Sequence, residues 1–387
     1  MAAQFYSAKE MLGRLVAFDT TSAKTNIPMA EFIRDYLASH GVESFMVPAG
    51  NGIHTGLFAT IGPADVAGTG VSGHMDVVPV ADQAWDSDPF TMVERDGKLY
   101  GRGTCDMKGY LACVLTAVPM FKKHKLATPI HIVFSYDEEV GCTGVRPMIG
   151  EFGSRLAKPR LVFVGEPTNM TVVDAHKGGA RYRIELTGHP VHSSKSPLGV
   201  NAVTYAGELL VELDRMAADL QALPHNHRFD PPWHTLTVTQ FHGGTSSNIV
   251  PGSCWIGWEI RAMPGFDLKP WEDRIKAAAA RLVPQMKATA PECDIVVRQT
   301  GLVPPFGAEA GSEVVTLCQK LAGQNEVFAV PYGTEAGLFQ EGGMPTVIFG
   351  PGDIAQAHQA DEFIDVSQVE ACEAFMRKLF DWAEKNA

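Results

Sequence analysis

Two short apolar runs, His131-Ile-Val-Phe-Ser-Tyr136 and Arg160-Leu-Val-Phe-Val164, lead straight into acidic residues, Asp137-Glu138-Glu139 in one case and Gly165-Glu166 in the other. Runs this short, apolar without alternation, suit strands covered on both faces. In an open α/β sheet, ligands gather at the carboxyl ends of the strands, which is where these carboxylates would stand. Residues 70–72 lead a third strand into His74-Met75-Asp76. A chain that sets polar residues at several strand ends is constrained to an α/β sheet with a site along one edge.

The remainder supports two domains. At 387 residues and 45% hydrophobic content the chain is too long for one small core and has apolar material for two. Helical spacing marks residues 5–18 through Met11, Leu12, Leu15 and Val16, and Pro28 opens a second helix that stops at Gly41. Strands are expected at 42–47 and 55–61, and a long helix at 107–123 whose basic tail suits the negative end of its dipole. After His176-Lys177-Gly178-Gly179 the texture changes to strand 181–187, helix 201–223, strands 236–241 and 254–261, helix 270–282 and strand 294–298. That order, β-α-β-β-α-β, is a split βαβ unit and makes a self-sufficient small domain. Beyond Phe306 a helix, a strand at 345–349 and a closing helix from Ser367 restore the first pattern. The small domain therefore reads as an insertion.

Charge and cysteine usage exclude several classes. The formal net charge is −12, with no lysine- or arginine-rich run, so neither a nucleic-acid nor an anionic-membrane partner is expected. No apolar run approaches the ~20 residues needed to cross a bilayer, and residues 1–6 lack the basic-then-apolar pattern of a secretory signal. Seven scattered cysteines without a C-x-x-C motif fit a reducing compartment, and a cytoplasmic location is expected. Cys105 and Cys142 lie beside the acidic motifs but read as small buried residues, since no histidine partner supports a nucleophile. The loop 224–234 carries His225, His227 and His234 with no carboxylate cluster, and reads as solvated loop.

The remaining polar residues suggest a metal centre. In His74-Met75-Asp76 alternate strand residues point the same way, and a ligating histidine usually gives its other ring N–H to a neighbouring oxygen, a place Asp76 suits. Asp106, in Gly101-Arg-Gly-Thr-Cys-Asp106-Met-Lys-Gly109, precedes a helix and could be a simple N-cap. Its flanking glycines, however, mark a backbone in close approach to something. They form neither a dinucleotide fingerprint nor a phosphate loop. Glu138 and Glu139 place two like charges side by side, which is costly unless a cation or solvent offsets them. One could bind metal while the other takes a proton from water. Glu166 and the late His358, in His358-Gln-Ala-Asp361-Glu362, complete a set whose order is more telling than any single member.

Across essentially its whole length the sequence resembles the two-zinc deacylase family that includes acetylornithine deacetylase and succinyl-diaminopimelate desuccinylase, with carboxypeptidase and aminoacylase relatives. The resemblance rests on Ser72-Gly-His74-Met-Asp76-Val-Val-Pro79, the 101–109 motif, Asp137-Glu138-Glu139-Val-Gly141, Gly165-Glu166-Pro-Thr168 and His358-Gln-Ala-Asp361-Glu362. It implies an α/β fold: a zinc-peptidase-like catalytic domain with a mixed central sheet flanked by helices, at 1–178 and 301–387. A ferredoxin-like lid and dimerisation domain would be inserted at 179–300. It further implies that Asp106 bridges two divalent metal ions, with His74 and Glu166 completing one site and Glu139 and His358 the other. Glu138 would be the general base, Asp76 would orient His74, and His192 would stabilise the oxyanion. Asn248 and Arg261 match substrate-binding positions, while His189 is left structural. Zinc is the first expectation for the metal, with cobalt or manganese as alternatives for the same donors.

Two local features resemble the acetylornithine deacetylase branch, His176-Lys177-Gly178 and Tyr332-Gly-Thr334-Glu335-Ala336-Gly337. Lys177, Thr334 and Glu335 are accordingly candidate substrate contacts, with Glu335 expected to attract a cationic side chain. The implied reaction is hydrolysis of an N-acyl amino acid, N2-acetyl-L-ornithine first, in a homodimer formed through the inserted domain. The alternatives are a broader N-acyl-amino-acid or N-acetylcitrulline deacylase, then a succinyl-diaminopimelate desuccinylase or an inactive binding homologue.

Overall fold

The computed structural model describes residues 3–63, 65–123 and 125–386. Residues 1 and 2, at the head of the segment read for a secretory signal, lie outside it. The chain divides into two compact units, one formed by Met1–Asp174, Gly307–Phe328 and Thr334–Ala387, the other by Ala175–Phe306 and Ala329–Gly333.

The first unit is built on a mixed sheet. Its strands lie in the order Ser44–Pro48, Thr55–Ile61, Ile130–Ser135, Thr69–His74, Leu161–Val164 and Thr346–Ile348, and Val173 pairs beyond the last. Strands 130–135, 69–74, 161–164 and 346–348 run parallel. Ile130–Ser135 and Leu161–Val164 are buried at every residue, as their unbroken apolar character requires. Because the strands are parallel, His74, the Asp137-Glu138-Glu139 turn and Glu166 all follow carboxyl ends on the same sheet edge. The register aligns His74 with Ser135, and Ser72 with Val164. Helices Ala8–Val16, Ile27–Ser39, Gly109–Lys123 and Val366–Lys385 bury Leu12, Ile33, Leu115 and Leu379 in the same core as Val71, Ile132 and Phe163.

A three-stranded sheet of Phe363–Asp365, Lys98–Tyr100 and Val93–Arg95 was not legible in the sequence. Its strands are three residues each, too short to show alternation. It pairs Phe363 with Tyr100 and Ile364 with Leu99, and so ties the segment after His358 to the start of the Asp106 loop.

The long helix expected from residue 107 begins at Gly109. Asp106 (φ −119°, ψ 95°) and Met107 (φ −133°, ψ 33°) are not helical. The loop turns back on itself instead, through Gly103 at φ +81°, where a Cβ would stand 2.7 Å from Val77 Cγ1. At Gly73, a Cβ would meet Met107 Cε at 2.6 Å. The glycines let the Asp106 loop lie against the strand that carries His74.

The second unit is a four-stranded antiparallel sheet in the order Thr235–Gly243, Ser253–Ala262, Gly178–Thr187 and Asp294–Val303. Helices Ala202–Gln221 and Lys269–Thr289 contribute Leu209, Leu213, Ile275 and Met286 to a core with Ile184, Ile256 and Trp258. The second helix passes through Pro284 and runs seven residues beyond the expected end at 282. Among the described residues no helix is long and apolar enough to cross a membrane.

His131 has an energetic consequence for the first unit. Its ring is buried on the 130–135 strand, stacks on Phe58 with centroids 5.6 Å apart, and has Nδ1 2.9 Å from Thr60 Oγ1, while Nε2 has no partner. Burial lowers its pKa from 6.5 to about 4. Below pH 6.5 the unfolded chain therefore takes up the proton before the folded one. The associated stability is complete above that pH and is lost as pH falls toward 4. In metal-stripped protein, His131 should cost about 2 kcal/mol of unfolding free energy between pH 7 and pH 5. Denaturant titration at the two pH values should show His131→Phe gaining about 2 kcal/mol relative to the parent as pH falls from 7 to 5, since the other buried groups titrate alike in both.

Candidate metal centre

At the carboxyl edge of the parallel strands, Asp106 stands between two histidines. His74 Nε2 lies 3.0 Å from Asp106 Oδ1, and His358 Nε2 lies 3.2 Å from Oδ2. His358 Nε2 is also 3.0 Å from Glu139 Oε2, and His74 Nε2 is 3.9 Å from Glu166 Oε1. Two triads present one ligand atom per residue within 4.8 Å of each other: His74, Asp106 and Glu139, and His74, Glu138 and Glu166. The structure thus gathers His74, Asp106, Glu138, Glu139, Glu166 and His358 from five separate stretches of chain.

Asp76 does more than sit beside His74. The ring Nδ1 of His74 is 2.9 Å from the Asp76 carbonyl oxygen and 3.5 Å from its carboxylate. That carboxylate accepts from the backbone N–H of Glu138 (3.1 Å) and of Glu139 (3.3 Å), and from the Ser22 hydroxyl (2.7 Å). Asp76 therefore holds the turn that carries both glutamates, and its carbonyl fixes the orientation of His74. Ser22 carried no motif signal; only the fold brings it here.

The electrostatics are those of too many carboxylates in too little water. Burial pushes the Glu138 carboxyl up to about 8 and that of Glu139 to about 7, with Glu139 and Asp106 respectively adding like-charge repulsion. Glu166 is raised well above the usual range by burial and by Asp106. Burial would raise Asp106 too, but hydrogen bonding to His358 and His74 holds it below the ordinary value. Glu139 Oε1 is buried without a hydrogen-bond partner. A pair of divalent cations fits this donor set: it would balance the charge and give Glu139 Oε1 a partner, and the donors are nitrogen and oxygen. Neither thiol is a member of the two triads. Cys142 Sγ donates to Glu138 Oε1 (3.1 Å) and Cys105 Sγ to the Asp353 carbonyl (3.2 Å), and burial raises both pKa values.

Glu335 and Thr334 belong to the first unit. Thr334 is buried and its hydroxyl oxygen accepts from the Ala336 N–H at 3.0 Å. Glu335 is 1% exposed, with Oε1 lacking a hydrogen-bond partner, and burial pushes its carboxyl up to about 7; Ser135, His74 and Asp76 lie beside it.

Within the second unit, Lys177 is likewise enclosed. Its ammonium donates to the carbonyls of Pro231 (2.6 Å) and Trp233 (2.7 Å), pinning the histidine-bearing loop. In that loop His234 Nδ1 accepts from the Met263 N–H (3.1 Å) and its ring stacks on Phe266. His192 and Asn248 are exposed neighbours, with the Ser193 N–H donating to the Asn248 carbonyl at 2.9 Å. His192 Nδ1 accepts from the Ser194 N–H at 3.2 Å. Arg261 Nε donates to Glu259 Oε1 at 3.1 Å, and His189 Nδ1 is 2.6 Å from Glu292 Oε1.

Residues 70–381 match the peptidase family M20/M25/M40. An acetylornithine deacetylase of Myxococcus xanthus is 34% identical over 373 residues, covering 95% of each chain. Among solved structures, an M20 family metallo-carboxypeptidase from Sulfolobus solfataricus superposes with a TM-score of 0.78 at 18% identity, over 97% of this chain and 99% of that one. A Bacillus subtilis protein described as a dinuclear metal-binding M20 peptidase gives 0.68 at 16% identity, over 98% of each. With a family match across most of its length and a relative of this identity over nearly all of it, the chain belongs to peptidase family M20/M25/M40.

Proposed function

We propose that the protein is a dinuclear metal-dependent amidohydrolase that removes the acyl group from an N-acyl amino acid, N2-acetyl-L-ornithine before others. The observation that carries this reading is Asp106, a buried carboxylate with one histidine on each oxygen and acidic partners beyond each histidine. His74 and Glu166 would hold one ion and Glu139 and His358 the other, with Asp106 shared. Two divalent cations held there would supply Lewis-acid polarisation of the scissile carbonyl and a more acidic water. The name carried by the Myxococcus relative supports the acetylornithine substrate.

The chain's own residues supply the rest. Glu138 is the proton carrier: its carboxylate takes the proton of the attacking water and returns it to the departing amine, which cannot leave as an amide anion. Asp76 holds the Glu138 backbone, so the carboxylate is presented from a fixed turn. His192 is the proposed oxyanion donor. Because its Nδ1 accepts from the Ser194 N–H, the neutral ring carries its proton on Nε2 and has that N–H to offer. Asn248 and Arg261 are proposed to bind the substrate carboxylate, Arg261 through the guanidinium nitrogens that Glu259 leaves open. The second unit would serve as lid and homodimer interface, in a cytoplasmic enzyme.

Acetate release should depend on added zinc, cobalt or manganese and vanish on chelation. Among N2-acetylornithine, N-acetylcitrulline, N-acetylmethionine and N-succinyl-diaminopimelate, kcat/KM should be highest for the first. Similar rates on the neutral acetyl amino acids would make this a general deacylase, and no hydrolysis by metal-loaded protein would make it a binding homologue.

Glu138→Gln should still take up two equivalents of metal while kcat falls roughly 10³-fold. Metal content by elemental analysis alongside steady-state rates checks this. Near-normal turnover in that variant would remove Glu138 from the mechanism.

A further inference from the structure

Arg102 and Glu362 form a buried ion pair for which the proposed chemistry has no use. Arg102 Nη1 lies 2.7 Å from Glu362 Oε2, and each side chain is 1% exposed. Replacing such a pair by apolar residues is often neutral or stabilising, so stability alone does not account for it. Its hydrogen bonds do. Glu362 Oε1 accepts from the backbone N–H of Cys105 (2.9 Å) and of Asp106 itself (3.1 Å). Arg102 donates to the carbonyls of Gln359 (3.3 Å) and Pro79 (3.5 Å) and to Gln83 Oε1, with the Trp85 ring 5.0 Å away. Gln83 Nε2 in turn donates to the carbonyl of His358 at 2.8 Å.

The segment held in this way needs holding. His358 (φ +63°) and Asp361 (φ +54°) both adopt the left-handed conformation, which non-glycine residues keep only where their surroundings enforce it. Asp361 Oδ1 accepts from the Asp86 N–H at 2.9 Å, and the Gly101 N–H donates to the Glu362 carbonyl at 2.9 Å. One network thus joins the loop after the His74 strand, the Asp106 loop and the His358 segment.

We infer that Arg102 and Glu362 are a positioning pair that locks the backbone at Asp106 to the backbone at His358, keeping Asp106 Oδ2 and His358 Nε2 in register for a single cation. The inference rests on the metal-centre reading. The pair touches no reacting atom, and its effect falls chiefly on the site that includes His358.

The test is a two-step metal titration against a chromophoric chelator, with the cobalt absorption spectrum as a second readout. Arg102→Met/Glu362→Leu removes both charges and the acceptor for the two N–H groups. Arg102→Met/Glu362→Gln removes the charges but keeps an acceptor. In the first double variant, affinity at the site that His358→Ala abolishes should fall about 10- to 100-fold, with an altered cobalt spectrum and a smaller fall at the other site, which shares Asp106. The second double variant should recover only the part of that loss carried by the Cys105 and Asp106 N–H groups, the remainder reporting the lost Arg102 bonds. A purely structural pair would lower the unfolding midpoint without a site-selective change in affinity. Wild-type affinity at both sites in a folded Arg102→Met/Glu362→Leu protein overturns the inference. Should that variant fail to fold, Gln83→Leu keeps the ion pair and removes the bond to His358, and must weaken the same site several-fold for the inference to stand. Absence of metal binding by the parent protein would instead overturn the metal-centre reading itself.

Discussion

The first unit depends on a carboxylate that is buried and must stay charged. Asp106 is 5% exposed, and it remains ionised because a histidine faces each of its oxygens. Burying a charge is affordable only with close, well-aligned partners, so much of the local architecture serves those partners. The parallel strands bring His74 to the sheet edge, and the non-helical turn at Asp106 directs the carboxylate toward it. Gly73 and Gly103 remove the side chains that would keep loop and strand apart. The small sheet of Val93–Arg95, Lys98–Tyr100 and Phe363–Asp365 returns the His358 segment to the other oxygen.

Around that residue the chain accumulates more negative charge than a protein interior tolerates. Burial and mutual repulsion raise the carboxyls of Glu138, Glu139 and Glu166 together. Such a cluster beside two histidines is the pattern of a site completed by cations, which offset several carboxylates at once. The positioning network of Arg102, Glu362, Asp76 and Gln83 belongs to the same logic. It fixes backbone at Asp106, at His358 and at the Glu138–Glu139 turn, so that the side chains leave it from set positions.

The second unit is a separate solution to a simpler problem. Four antiparallel strands with two helices on one face need only one apolar layer, and Ile184, Ile256, Trp258, Leu209 and Met286 supply it. Its polar chemistry is confined to side chains such as His192, whose tautomer is set by its own helix cap. Lys177 ties the sheet to the 224–234 loop, its ammonium donating to two loop carbonyls.

By itself the sequence determined most of the element types, the β-α-β-β-α-β order of the inserted segment and the stretches whose polar residues the fold gathers. Apolar runs, helical spacing and polar residues directly after strands are local patterns, and local patterns survive in a linear text. Arg102 and Glu362 were visible as letters within motifs, yet nothing in their spacing of 260 residues says that they pair. Tertiary structure alone decided that Asp76 holds the glutamate turn, that Ser22 reaches it, and that the helix after Asp106 starts at Gly109 rather than at residue 107. It also decided that Glu335 is enclosed. Those outcomes depend on which segments pack together and on what water can reach, and neither contact between distant residues nor burial of a charge is a property of any short stretch of chain.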